Sequence, residues 1–157
     1  MLRVFVDTSA LFAGIWSAEG AARVVLRLGE AGAVRLVVSP LVLTEIERAL
    51  QRKAPELLGR AALLLATCRA ETVPAPASRE TIDEMTEIVG HQGDAIILAA
   101  AVAGDVDYLV THDAQHFLDN LALKQAVPFP IGTPGDFLER YRSSLNRRSS
   151  GGSVATD

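Results

Sequence analysis

Residues 94–113 read DAIILAAAVAGDVDYLVTHD. Asp94 is followed by nine apolar residues, ending at Ala103. A helix that is apolar on every side is a buried one, so a helix inside the domain is predicted over 94–103. After Gly104, the short run Tyr108, Leu109, Val110 and Thr111 predicts a strand. Its apolarity is continuous rather than alternating, which marks a strand covered on both faces, as in a parallel sheet. The strand runs straight into His112 and Asp113. A buried helix feeding a buried strand that stops at a carboxylate implies α/β architecture, with polar chemistry at the carboxyl end of the sheet.

The same alternation extends outward in both directions. Residues 3–6, RVFV, predict a first strand ending at Asp7. Helices are expected over 8–14 and over AARVVLRLGEA, the second capped by Ser17 and ended by Gly32. Residues 35–38 form a second strand, and Ser39 followed by Pro40 opens a helix running to about Lys53. Pro55 opens another helix, and residues 71–73 give a short third strand closed by Pro74 and Pro76. Residues 78–89 are amphipathic, with Ile82, Met85 and Val89 on one face. Beyond Asp113, a helix is expected over 114–123 and a fifth strand over 128–131. Thr133, Pro134 and Asp136 look like a capping box for a last helix through Tyr141. The result is one domain over 1–141, a mostly parallel sheet with helices on both faces. The tail, 142–157, has little to bury and is expected to be disordered.

Composition bounds the function. The chain has 157 residues, 49% of them hydrophobic, enough for one core. Its single cysteine, Cys68, excludes an internal disulfide and a Cys-rich zinc site, and fits a reducing cytoplasm. Asp7 interrupts the apolar N-terminus, so a signal peptide is not expected. No apolar run approaches the roughly 20 residues that span a bilayer. Net charge is −4, and the only local basic surplus is Arg140, Arg142, Arg147 and Arg148. That argues against a non-specific nucleic-acid coat protein, but not against a metal nuclease, because bound cations reverse the local sign.

Four carboxylates carry the candidate chemistry. Asp7 and Asp113 follow the first and fourth strands, and neighbouring strands would bring both to one sheet edge. Asp94 opens the buried helix that leads into the fourth strand. Glu45 sits at the edge of the stripe marked by Leu41, Val42, Ile46, Ala49 and Leu50. Each also has an ordinary reading. Asp7 suits a turn or cap, Asp94 suits a helix N-terminus, and Glu45 could pair with Arg48 or Arg52. Gathered together, the four would repel one another, and a divalent cation removes that conflict. Oxygen ligands suit Mg²⁺ or Mn²⁺. Arg48 and Arg52 are also candidates for substrate contacts at the rim, while Cys68 suits the core and Trp16 a helix junction or dimer contact. His112 and His116 read as surface histidines.

The segments VFVDTSALF, SPLVLTEIERAL, GDAIILAAAV and DYLVTHD, in that order, resemble the PIN-domain family. The resemblance covers residues 2–141 and is strongest to bacterial PIN proteins described as toxins of type II toxin–antitoxin pairs. It implies a sheet of order 3-2-1-4-5 and a metal-dependent endoribonuclease leaving a 5′-phosphate and a 3′-hydroxyl. It carries the acidic, metal-holding roles onto Asp7, Glu45, Asp94 and Asp113, with Ser9 and Thr111 in support. It also implies an RNA substrate, a cognate antitoxin and a homodimer. Two departures stand out: His91, Gln92 and Gly93 where relatives have acids, and Gln115 and His116 where many have a further acid.

Two other readings remain. One is a PIN scaffold that binds RNA or protein without cutting. The other is a HAD-type or receiver-like phosphoryl domain. The second meets difficulty in Ser9, which stands where a HAD domain needs a second acid, and in Lys124, which does not directly follow a strand.

Overall fold

A computed structural model of the protein describes residues 1–76 and 78–151. Five parallel strands form one sheet: β1 (Arg3–Val6), β2 (Arg35–Val38), β3 (Glu71–Thr72), β4 (Tyr108–Val110) and β5 (Ile131–Gly132). Their order is β3-β2-β1-β4-β5, as the resemblance implies and unlike the 2-1-3-4-5 order of receiver-type domains. Lys124 lies within a helix, away from any strand end.

The helices are α1 (Thr8–Trp16), α2 (Ala21–Glu30), α3 (Pro40–Lys53), α4 (Leu58–Thr67), α5 (Arg79–Val89), α6 (Gln92–Ala103), α7 (Leu121–Ala126) and α8 (Pro134–Ser150). Right-handed crossovers assign α1–α4 to one face and α5–α7 to the other, giving the three layers expected. β1, β2 and β4 are buried on both faces, whereas the edge strand β3 is polar and partly exposed. Val4, Phe5 and Leu109 are 0% exposed, and Leu36 and Val37 at most 1%. In α6, Ala95 and Ile97 to Ala101 are buried, as its unbroken apolar sequence requires.

Some boundaries differ from the sequence reading. Ser17 does not cap α2; it closes α1, with its N–H bonded to Ala13 O at 3.1 Å. The chain restarts at Gly20, whose φ of 95° suits a residue without Cβ. The helix expected from Pro55 begins as a 3₁₀ turn, Pro55–Leu57. The helix expected over 114–123 is a π-helical turn, Ala114–Leu118, followed separately by α7, which Asn120 caps. The fifth strand lies at Ile131–Gly132 because pairing with Leu109 and Val110, not local apolarity, selects it.

The last helix does not stop at Tyr141, and residues 142–150 are not a disordered tail. The capping box of Thr133 and Asp136 starts α8, and Arg147 and Arg148 complement its dipole in the last turn. The hydroxyls of Ser149 and Ser150 bond back to Leu145 O and Asn146 O at 2.8 and 2.6 Å. The helix therefore outlasts its buried face. The rest of the expected tail, 152–157, lies outside the described residues.

Candidate metal centre

The sheet register begins the site. Val6 pairs with Val110, so Asp7 and Thr111 leave the sheet side by side. Phe5 pairs with Val37, which brings Ser39 and the start of α3 to the same edge. Ser39 caps α3 through its hydroxyl, 3.2 Å from Val42 N, and α3 then carries Glu45 over that edge. From the other layer, α6 points its N-terminus, with Asp94 in the first turn, at the same place.

Asp7 is 4% exposed. The Thr111 hydroxyl donates to its Oδ2 at 2.8 Å, and the Ser9 hydroxyl approaches the same oxygen at 3.2 Å. Each hydroxyl is itself fixed from behind. His112 N–H donates to Ser9 Oγ at 2.9 Å, and Asp113 N–H to Thr111 Oγ1 at 3.0 Å. The loop after β4 thus holds the carboxylate after β1. Burial pushes the Asp7 carboxyl up to about 6, and the Asp94 charge adds to that, against the Thr111 and Ser9 hydrogen bonds that favour ionisation.

Glu45 is not paired with Arg48 or Arg52. The Thr8 hydroxyl donates to its Oε2 at 2.5 Å. Thr8, next to Asp7, was not singled out in the sequence, though its position directly after the first strand's acid was a usable signal.

Asp94 is not the cap of α6. His91 holds that position, and its Nδ1 accepts Asp94 N–H at 3.2 Å. Asp94 is therefore inside the first turn, with its side chain free for other partners. Burial raises its carboxyl; His116 and His91 pull it back, while Asp113 and Glu45 raise it further. Asp113 caps the π-helical turn, its Oδ1 accepting His116 N–H at 3.0 Å.

His116 is not a plain surface histidine. Its Nδ1 lies 3.0 Å from Asp113 Oδ2 and 3.1 Å from Asp94 Oδ2. The hydrogen bond to Asp113 raises the imidazole above its usual range. The signal for it was the spacing Asp113 to His116, three residues on one turn.

Asp7, Thr8, Ser9, Phe12, Glu45, Ala49, Lys53, Asp94 and Asp113 line a cleft of about 410 Å³. A neighbouring groove of about 620 Å³ shares Thr8, Glu45 and Ala49 with it, and Arg48, Gln51 and Arg52 complete it. Lys53, two turns beyond Glu45, also enters the acidic cleft, with Nζ 5.2 Å from the Phe12 ring centre. That position was legible from the 45, 49, 53 spacing. Trp16, the last residue of α1, stacks on Phe12 of the same helix at 5.5 Å and is 53% exposed. Cys68 is a buried core residue, its thiol pushed up to about 11 by desolvation.

The donor set fits a hard divalent cation. Among the described residues, no Lys or Arg forms an ion pair with Asp7, Glu45, Asp94 or Asp113. Two of the four carboxyls are raised by burial, which a cation would reverse. Donor atoms of Asp94, Asp113 and His116 all lie within 4.8 Å of one another.

Residues 3–115 match the family model described as PIN domain. Among solved structures, the chain is similar to VapBC2 from Rickettsia felis bound to a DNA fragment from their promoter, at 17% identity and a TM-score of 0.62, over 84% of this chain and 98% of that one. It is also similar to PAE2754 from Pyrobaculum aerophilum, at 18% identity and a TM-score of 0.61, over 90% and 96%. No curated protein matches it.

Proposed function

The chain belongs to the PIN-domain family, and on that premise we propose that it is a divalent-metal-dependent endoribonuclease, the toxin of a toxin–antitoxin pair. One observation carries the proposal: four carboxylates from four separate segments meet at the carboxyl edge of the sheet with no basic ion-pair partner among the described residues. A purely structural cluster of this kind would be neutralised by arginine or lysine.

Asp7, Asp94 and Asp113 would hold Mg²⁺ or Mn²⁺, with Glu45 at the open side. When bound, the cation supplies Lewis-acid chemistry: it lowers the pKa of water and offsets charge on the phosphate. Glu45, aimed by the Thr8 hydroxyl, orients the attacking water and takes its proton. Ser9 and Thr111 keep Asp7 in place. Arg48 and Arg52 in the adjoining groove, and Lys53 in the cleft, bind phosphates flanking the cleaved one. Water adds to phosphorus as the 3′-oxygen leaves and takes a proton from solvent, giving a 5′-phosphate and a 3′-hydroxyl.

The neighbour VapBC2 supports an antitoxin as partner. Its role here is to cover the acidic cleft, most simply with an arginine placed among the carboxylates. A homodimer and a cytoplasmic location belong to the same reading, with residues 1–141 as the nuclease unit.

The test is cleavage of structured RNAs in Mn²⁺. Wild type should cut, and EDTA should stop it. Asp7→Asn, which keeps the side chain's size and its hydrogen-bond acceptor, should lower the rate more than about a hundredfold with unchanged circular dichroism. Full activity in that variant or in EDTA sinks the proposal.

A further inference from the structure

His116 brings an imidazole nitrogen against two of the cleft's carboxylates, and it lies one residue past the segment that matches the family model. Its Nδ1 is 3.0 Å from Asp113 Oδ2 and 3.1 Å from Asp94 Oδ2. Donor atoms of His116, Asp94 and Asp113 all lie within 4.8 Å of one another, so one ion can reach the three together. The ring is also held in position. Its backbone N–H is bonded to Asp113 Oδ1 at 3.0 Å, and the next residue, Phe117, is 0% exposed and anchors the turn.

His91 is not equivalent, although its Nδ1 is 3.3 Å from Asp94 Oδ2. That nitrogen accepts Asp94 N–H, so its lone pair is occupied in capping α6. Glu45 approaches from the opposite layer and carries only oxygen.

We propose that His116 Nδ1, on releasing to solvent the proton it shares with Asp113, is a ligand, beside Asp94 and Asp113, of the cation in this cleft, and that the site therefore prefers Mn²⁺ and Co²⁺ to Mg²⁺. The inference rests on the metal reading above and adds the ion's chemical class to it. Mg²⁺ favours an all-oxygen shell and gives up its waters reluctantly. Imidazole suits transition-metal dications, whose affinity for mixed nitrogen and oxygen sites rises from Mn²⁺ to Co²⁺.

The experiment uses the full chain stripped of metal, followed by thermal unfolding against MgCl₂, MnCl₂ and CoCl₂ and by the visible absorption of bound Co²⁺. Wild type should be stabilised by Mn²⁺ and Co²⁺ at concentrations roughly tenfold or more below Mg²⁺. His116→Asp replaces the nitrogen with oxygen; it should shrink that gap and change the Co²⁺ absorption bands. His116→Ala should weaken Co²⁺ binding roughly tenfold. If both variants keep the wild-type ion order and Co²⁺ spectrum, while Asp94→Asn loses all three ions, His116 is no ligand and the metal site itself stands. If no ion stabilises wild type, the metal reading fails and this inference falls with it.

Discussion

The two edges of the sheet are built on opposite electrostatic plans. At the amino edge, Arg3 grips Glu71 through two hydrogen bonds of 2.7 and 2.9 Å. The same guanidinium donates twice to Gly104 O, at 3.1 and 2.9 Å, and Arg3 N–H donates to Asp107 at 2.7 Å. One arginine on β1 thereby ties down β3 and the loop entering β4. Its partner Glu71 is held below the usual carboxylate range by that contact. At the carboxyl edge, acids face acids, and burial raises Asp7 and Asp94 instead. One edge is closed by complementary charge and finishes the fold. The other stays unsatisfied until something positive arrives, which is how a binding edge differs from a stabilising one.

The strongest way to break this contrast is pH. Asp7 has a folded value of about 6, above an unfolded value of about 3.9. The folded state therefore holds the proton more tightly. The stability from this group is fully present below about pH 4 and is lost as pH rises through about 6. A displacement of about two pH units corresponds to about 3 kcal/mol. In EDTA, wild type should become more stable on going from pH 7.5 to 5, and Asp7→Asn should remove much of that gain by being stabilised already at pH 7.5. Mn²⁺ should flatten the wild-type trend as well. Calorimetry in the four conditions decides it. If Asp7→Asn melts lower than wild type in EDTA at pH 7.5, the carboxyl edge is not frustrated.

The amino edge should answer in the opposite way. Arg3→Ala should cost about 1–2 kcal/mol, more than an exposed ion pair usually does, because Arg3 is forked to a carboxylate and also satisfies a carbonyl. RNA cleavage by the folded variant should match wild type within about twofold. Loss of cleavage without loss of stability would show that the edges are coupled rather than distinct.

What the sequence disclosed follows the same division. Strands β1, β2 and β4 were legible because each is a continuous apolar run bounded by polar residues. The acids ending β1 and β4 were legible because sheet order places them together. The geometry around them was less so. Thr8 aims Glu45 and His116 approaches Asp94 only through contacts between segments far apart in the chain. The ordinary reading of Asp94 as a cap stayed open beside its metal-holding one because local spacing cannot show that His91 already fills that role. β5 was misplaced because two residues of strand carry too little local signal, and its partners in β4 choose them. The extension of α8 was missed because a helix is ended by capping and dipole as much as by the loss of an apolar face.

Thr8 sharpens the comparison at the finest scale. It is the first residue of α1, half-buried, and its hydroxyl makes the side-chain contact that orients Glu45. Valine has the same branched shape without the donor, so Thr8→Val removes one hydrogen bond and little else. Such a bond contributes about 1 kcal/mol, which corresponds to roughly a fivefold loss of cleavage if the geometry of Glu45 limits the reaction. Metal-induced stabilisation should be nearly unchanged, because Asp7, Asp94, Asp113 and His116 keep their contacts. Single-turnover cleavage alongside Mn²⁺ thermal shifts separates the two effects. A variant that loses metal binding together with cleavage would make Glu45 a holder of the cation, whereas one that loses only rate would make it the residue that handles the attacking water.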